Sequence, residues 1–238
     1  TPLPFVPENY RETVPSASLA STPQWPNFGV TPLEARECIL AYDACTSFVD
    51  AQVGRLLKAL DDLGLREKTV IVFWGDHGYH LGEHGLWRKN SLFEESARAP
   101  LIIDAPNTKG AGTACPSPVE FLDMYPTICE LAGIKAPTAI EGKSLVPLLA
   151  DPKAEWNRPA FTQVQFRQTG AIGRGVRTRR WRYVEWGNKG LSGRQLYDQE
   201  TDPLEMKNLV ASSEHRAVIS ELRELLHENF YRNTKHEN

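Results

Sequence analysis

Residues 69–74, Thr-Val-Ile-Val-Phe-Trp, run straight into residues 75–89, Gly-Asp-His-Gly-Tyr-His-Leu-Gly-Glu-His-Gly-Leu-Trp-Arg-Lys. The first six are apolar or β-branched, with no alternation between faces. That is the pattern of a short strand buried on both sides, as in a parallel sheet flanked by helices. The following fifteen hold three of the chain's six histidines, two acids, two bases and four glycines. In open parallel sheets ligands bind outside the carboxyl ends of strands, so position and composition point to one site. Gly75 and Gly78 are expected to let the backbone turn sharply and bring Asp76 and His77 to face one point. A carboxylate oxygen beside a neutral imidazole nitrogen suits a divalent cation, although two ligands do not close a site. Arg88 and Lys89 would add positive charge for an anionic group held there. The same residues admit two competing readings. Asp76 could cap a helix starting near Gly78, leaving the histidines solvated. Alternatively, His77, His80 and His84 could share a helix face and bind zinc. The glycines at 78, 82 and 85 oppose a helix, and H-E-x-x-H does not occur.

Upstream, Thr31-Pro32-Leu33-Glu34 reads as a capping box with proline in the first turn. Phe48, Val49, Val53, Leu56, Leu57 and Leu60 recur at helical spacing, and Gly64 is a C-terminal cap. Cys38 and Cys45 lie in this helix and read as two small core residues on one face. Residues 1–30 are rich in proline and read as an extended lead-in along the surface. Downstream, Leu101-Ile-Ile-Asp-Ala105 is a second strand of the buried type. Val119–Met124 and Thr127–Leu131 are helical, the latter closed by Gly133, and 134–160 is connective. Phe161–Phe166, Gly175–Thr178, Trp181–Trp186 and Gln195–Tyr197 are short strands of an antiparallel sheet. Ser213 is expected to cap a final amphipathic helix through Val218, Leu222, Leu225 and Leu226. The organisation is an α/β core over residues 1–150 followed by a smaller α+β subdomain over 151–238.

The chain has 238 residues and a formal charge of −3, with 41% hydrophobic and 24% charged residues, ordinary for a globular protein. A slightly acidic chain without a basic stripe argues against nucleic acid as a partner, and no apolar run approaches a membrane span. Four cysteines, none in a C-x-x-C arrangement, do not make a disulfide framework or fix the compartment.

Trp74 through Lys89, with Phe93-Glu94 and Arg98-Ala-Pro-Leu101, resembles the second metal-binding block of the sulfatases, and within them is most similar to the iduronate-2-sulfatase group. The likeness extends through Phe48–Leu65, Asp123–Gly133, Glu141–Leu145, Val176–Thr178, Trp181–Tyr183, Leu196–Pro203 and Asn208-Leu209. It implies an alkaline-phosphatase-like parallel-sheet core, present in part, followed by a small α+β subdomain with antiparallel strands. It also implies sulfate-ester hydrolysis at a Ca²⁺ site, with a sulfated sugar or glycosaminoglycan as substrate. Carried over by residue, Asp76 and His77 are metal ligands and Lys89 is the catalytic cation that binds the sulfate. His84, Trp87, Arg177, His80 and Tyr79 are further candidates for substrate contact. By resemblance the compartment is secreted, periplasmic or lysosomal.

The chain departs from that family where the nucleophile should be. Sulfatases use a formylglycine made from the Cys or Ser of C/S-x-P-x-R. Here Cys115-Pro-Ser-Pro118 has serine where proline is needed, and no arginine follows at the required place. The expectation is a C-terminal portion of a sulfatase whose N-terminal part, carrying formylglycine and the remaining calcium ligands, acts as its partner. The isolated chain would then be inactive. Other readings are a choline or aryl sulfatase, a phosphoesterase of the same superfamily, or a non-catalytic fragment or binding subunit.

Overall fold

Thr31 nucleates the longest helix as its sequence predicts. Its hydroxyl oxygen accepts from the Glu34 N–H while the Glu34 carboxylate accepts from the Thr31 N–H, and Pro32 occupies the first turn. The helix runs Pro32–Asp62, and Gly64 follows in the left-handed region that glycine adopts without steric cost. The computed structural model describes residues 2–166 and 170–231. In chain order its elements are α1 (Tyr10–Thr13), α2 (Pro32–Asp62), β1 (Ile71–Trp74), β2 (His80–Leu81), β3 (Trp87–Arg88), α3 (Glu94–Ala97) and β4 (Leu101–Asp104). Then come α4 (Met124–Leu131), α5 (Val146–Ala150), β5 (Ala160–Gln165), β6 (Ile172–Arg177), β7 (Trp181–Trp186), β8 (Gly193–Asp198) and α6 (Arg216–Tyr231). Among the described residues no helix is long and apolar enough to cross a membrane.

The chain divides into two compact units that interleave in sequence: Val30–Asp76 with Pro100–Trp156, and Pro4–Gly29 with His77–Ala99 and the chain from Asn157 onward. In the first, β1 pairs with β4, Ile71 opposite Asp104 and Trp74 opposite Leu101. Both predicted strands exist, but the pair is antiparallel, and Phe73 and Trp74 are 38% and 50% exposed. Two-sided burial therefore fails for β1 as it stands, because β4 is its sole partner among the described residues. Mixed sheets accommodate such a pair, so the α/β class does not depend on it. The 119–131 region is helical over Phe121–Leu131, and buried Asp123 ties it to the segment at Lys143. The Asp123 carboxylate accepts from the N–H groups of Glu120 and Lys143, while the Thr127 hydroxyl accepts from Leu145 N–H at 2.8 Å. The stretch 134–160 is not merely connective: α5 forms within it, with Pro147 in the first turn, where a proline's absent N–H costs nothing. Cys38 and Cys45 are exposed rather than core.

The second unit holds the buried apolar clusters. β5 to β8 form an antiparallel meander in sequence order, close to the predicted strands. One face buries Val176, Tyr183 and Leu196 against Leu222 and Leu226 of α6, and the other packs Val184 and Trp186 against Leu92 and Phe166. Ser213 sits in a short 3-10 turn ahead of α6 and does not cap it. The lead-in is also not a surface strap. Tyr10, Val14 and Leu19 are buried with Leu86, Phe93 and Tyr197 in one cluster. A periodicity search misses this because the buried residues come from turns and single-turn helices.

A buried charge network closes the unit. Arg182 on β7 donates through Nε to Glu205 at 2.6 Å and through a terminal nitrogen to Glu94. The Glu94 N–H donates to Glu205 at 2.8 Å, and Arg177 approaches Glu94 at 3.3 Å. Asp202 accepts from the Met206 and Lys207 N–H groups, closing the turn that holds Glu205 in the left-handed region. Removing Arg182 would strand Glu205 in the interior and leave Glu94 with Arg177. Arg182→Ala is expected to lower unfolding free energy by about 3–5 kcal/mol, against at most about 0.5 kcal/mol for Lys58→Ala in an exposed i, i+4 pair with Asp62. Urea denaturation compares the two, and equal midpoints would refute the role given to the network.

Candidate functional site

Residues 77–99 belong to the second unit, and the glycine-rich stretch folds there as a hairpin rather than a helix. His80 and Leu81 of β2 pair with Arg88 and Trp87 of β3 around a 3-10 turn at Glu83–Gly85. Gly78 serves close approach rather than a special dihedral: a Cβ there would sit 2.0 Å from the Glu95 carbonyl oxygen and 2.5 Å from that of Arg98. Its N–H donates to the Ser96 carbonyl at 3.0 Å. Three non-glycine residues, His84, Arg88 and Asn90, hold left-handed conformations. Each costs roughly 1 kcal/mol, and such outliers cluster where function requires a particular backbone.

His77 is partly buried, with Nδ1 2.7 Å from the Gly78 carbonyl oxygen and Nε2 2.6 Å from Lys89 Nζ. A carbonyl only accepts, so Nδ1 carries the proton, and the Nε2 lone pair accepts from the ammonium. In this tautomer Nε2 carries the ring's one free lone pair, so it could ligate a metal only after Lys89 releases it. Asp76 ends the first unit, exposed, two residues past β1, and Lys89 is exposed beyond β3. A carboxylate oxygen and an imidazole nitrogen are each donors of a type that divalent cations take. Among the described residues no group of three His, Cys, Asp or Glu side chains could hold a metal alone.

The other predicted contact residues separate. Tyr79 is exposed, as a group facing a ligand should be, but His80, His84 and Trp87 point into the unit. His80 Nε2 bonds Ser91 Oγ at 2.7 Å, and Ser91 Oγ also accepts from Phe93 N–H at 3.2 Å. His84 stacks on Phe93 with centroids 3.9 Å apart, and its Nδ1 is 2.5 Å from the Tyr10 hydroxyl. Burial pushes the Tyr10 hydroxyl's pKa up, so the phenol keeps its proton and donates it to His84. His84 Nε2 lies 3.3 Å from Glu95. Trp87 donates its indole N–H to Asn27 at 2.9 Å, and its backbone N–H goes to Thr22. Arg177, expected to reach substrate, is turned to Glu94. Each of these four groups thus has a partner within the unit. Sequence reasoning missed Tyr10, Ser91 and Glu95, which support it. Tyr10 is 74 residues from His84, and no local spacing announces such a pair.

Comparison with known proteins identifies the family. Residues 5–134 match the sulfatase family, and residues 82–232 match the family described as N-sulphoglucosamine sulphohydrolase, C-terminal. An N-acetylglucosamine-6-O-sulfatase of Bacteroides thetaiotaomicron is 33% identical over 193 residues, 79% of this chain and 34% of that protein. A choline-sulfatase of Rhizobium meliloti is 37% identical over 186 residues, 77% of this chain and 35% of that one. Among solved structures, a 2-O GAG sulfatase superposes with a TM-score of 0.83 at 27% identity, over 99% of this chain and 53% of that one. The fold is thus the alkaline-phosphatase-like one, with the antiparallel sheet in its C-terminal portion. The chain spans about a third of the length of the curated relatives it matches.

Burial makes His80 a probe of the hairpin. Desolvation is the largest influence and outweighs nearby Glu95, pushing the imidazole down to about 4 from its ordinary 6.5. Between those values the unfolded chain binds the proton and the folded one does not, so stability falls as pH drops from 6.5 towards 4. The loss approaches about 3 kcal/mol at the acid end. Urea midpoints taken from pH 7 to 4.5 should fall more steeply for the natural chain than for His80→Gln, and parallel profiles would show that His80 does not titrate this way.

Proposed function

The chain belongs to the sulfatase family, and on that premise we propose that its protein hydrolyses sulfate esters of a sulfated sugar, with Asp76 and His77 as metal ligands and Lys89 as the sulfate-binding cation. The observation that supports this most is the 2.6 Å approach of Lys89 Nζ to His77 Nε2, on a backbone held by left-handed residues directly after β1. It joins one would-be metal ligand and one anion-binding cation at one point. We take the metal to be Ca²⁺, as the family resemblance implies. When bound, it would supply Lewis-acid polarisation of a sulfuryl oxygen. Lys89 would hold a sulfate oxygen and stabilise charge developing as the ester bond breaks. His77, its Nδ1 proton fixed on the Gly78 carbonyl, would offer its Nε2 lone pair to the metal once Lys89, which donates to that nitrogen in the free chain, turns to the sulfate. Tyr79 would contact the sugar from the exposed side of the loop.

No residue here matches the C/S-x-P-x-R motif, so the formylglycine nucleophile is assigned to further polypeptide, and the isolated chain is expected to show no turnover. Within sulfated sugars, the similarity of residues 74–101 to the iduronate-2-sulfatase group and the likeness to a 2-O GAG sulfatase favour a 2-O-sulfated uronate and a role in glycosaminoglycan degradation. Residues 1–150 would belong to the catalytic core and 151–238 to the subdomain that completes it. A location outside the cytoplasm, secreted, periplasmic or lysosomal, is inferred from the same resemblance.

In the protein carrying its complete sulfatase domain, Asp76→Asn should lower kcat/KM by at least about 100-fold and weaken activation by added Ca²⁺. Lys89→Met should lower kcat by about 10²–10³-fold. Assays on 2-O- and 6-O-sulfated disaccharides measure both effects and the preferred position. Undiminished turnover by Asp76→Asn would refute the metal assignment, and measurable turnover by the 238-residue chain alone would refute the placement of the nucleophile.

A further inference from the structure

Two segments of the second unit carry most of the strained backbone. Of the nine non-glycine residues with positive φ among those described, Gln24, Asn27, Phe28, His84, Arg88 and Asn90 make six. They lie in the turn at 22–29 and along the hairpin and its exit, and the two segments are bonded together. Trp25 donates its indole N–H to the His84 carbonyl at 2.8 Å, and Trp87 donates its own to Asn27 at 2.9 Å. The Trp87 backbone N–H reaches the Thr22 hydroxyl at 3.0 Å. Strain of this kind persists only where the surroundings over-determine it, and it gathers where a surface must keep one shape.

What this shape presents is Arg88. Its side chain is exposed, and its guanidinium carbon sits 4.9 Å from the centroid of the Phe28 ring. Stacking occupies the flat face of a guanidinium and leaves its N–H edge, a fork matched to two oxygens of one anion. Arg177, Arg180 and Arg182 each turn to a carboxylate of the unit, but among the described residues no carboxylate pairs with Arg88. Lys89, the next residue, is drawn to a different neighbour, His77, at 2.6 Å. The two adjacent cations are therefore held by different partners and offer two anion-binding points. One sulfate satisfies Lys89, so the fork at Arg88 calls for a second anionic group.

We propose that Arg88, braced on Phe28, is a specificity-determining residue that binds a second anionic group of the substrate, a carboxylate or a further sulfate, close to the sulfate ester held by Lys89. This role rests on the reading of Lys89 as the sulfate-binding cation and deepens it. The substrate is then a saccharide with two negative groups, on one sugar or on neighbouring ones. Bracing matters alongside charge. A free arginine side chain gives up rotamer freedom when it closes on an anion, whereas a stacked one has given it up beforehand and meets the ligand preorganised.

Two substrate pairs test this in the protein carrying its complete sulfatase domain. One is an otherwise unsulfated 2-O-sulfated uronate disaccharide and its carboxyl-reduced counterpart. The other is 6-O-sulfated glucosamine with and without an N-sulfate. In whichever pair is hydrolysed, the member with the second anion should be preferred by at least about tenfold in kcat/KM, chiefly through KM. The responsive pair tells carboxylate from sulfate. Arg88→Asn removes the guanidinium with a residue that tolerates the left-handed backbone at φ 70°, and should abolish the preference. Arg88→Lys keeps the charge without the fork, and Phe28→Leu removes the brace; each should cut the preference by about threefold or more. Thermal midpoints confirm that the variants are folded. The role of Arg88 is overturned if the natural protein shows no preference within either pair, or if the preference survives Arg88→Asn. It is equally overturned if Arg88→Asn lowers kcat on both members alike, which would put Arg88 on the sulfate itself. Failure of the natural protein to hydrolyse any sulfate ester would overturn the reading of Lys89 together with that of Arg88.

Discussion

Arg182 is the contact on which the second unit turns. It sits on a central strand of the meander, almost without solvent, and bridges two carboxylates from distant parts of the sequence. Glu94 opens the short helix after the hairpin, and Glu205 comes from the turn after β8. A guanidinium can satisfy both at once because its donors point in fixed, divergent directions. Replacing either carboxylate would leave charge without a counterpart in a low-dielectric interior, so the arrangement is all or none. The hairpin bearing His77 and Lys89 is thereby fastened to a sheet whose own strands lie a hundred residues further on.

Around that fastening the hairpin is held by polar groups facing inward. Ser91 connects His80 to the backbone at Phe93, Tyr10 holds His84, and the Gly78 N–H reaches Ser96. The outcome is a loop with a rigid inner side and an exposed outer one. His77, Tyr79 and Lys89 lie towards the outside, and the histidines that look equivalent in the sequence are divided between the two sides. Composition alone treats His77, His80 and His84 as one cluster. Their hydrogen bonds divide them: His77 stands partly open beside Lys89, while His80 and His84 are bonded inside the unit to Ser91 and Tyr10.

How much could be read from the sequence depends on the range of the forces involved. The Thr31 capping box, the Gly64 stop and the four strands of the meander were legible because each is written in residues within a few positions of one another. The stretch from Asp76-His77 to Lys89 stood out for the same reason, as a local concentration of titratable side chains. The burial of Tyr10, Val14 and Leu19 was not, since it depends on partners such as Tyr197 at the far end of the chain. The contact of Arg177 with Glu94 was not legible either, because nothing near Arg177 in sequence reveals that partner. The apolar run at β1 predicts a sheet interior that these residues alone do not build, and the pair it does form runs antiparallel. In that instance pattern and structure disagree about surroundings, not about the strand.

The exposed position of Lys89 determines how the loop can meet an anion. An ammonium in water at physiological salt acts over a Debye length of about 8 Å, beyond which counter-ions cancel it. The chain as a whole carries a formal charge of −3, so it sets up no broad positive field to help. Arg177 and Arg182 are already neutralised by Glu94 and Glu205 and add little at a distance. On the role proposed for Lys89, an anionic group would therefore be captured at short range, after diffusion has brought it to the loop, rather than drawn in from bulk solution. Encounter with this loop should consequently depend on salt far less than in proteins that steer their ligands electrostatically.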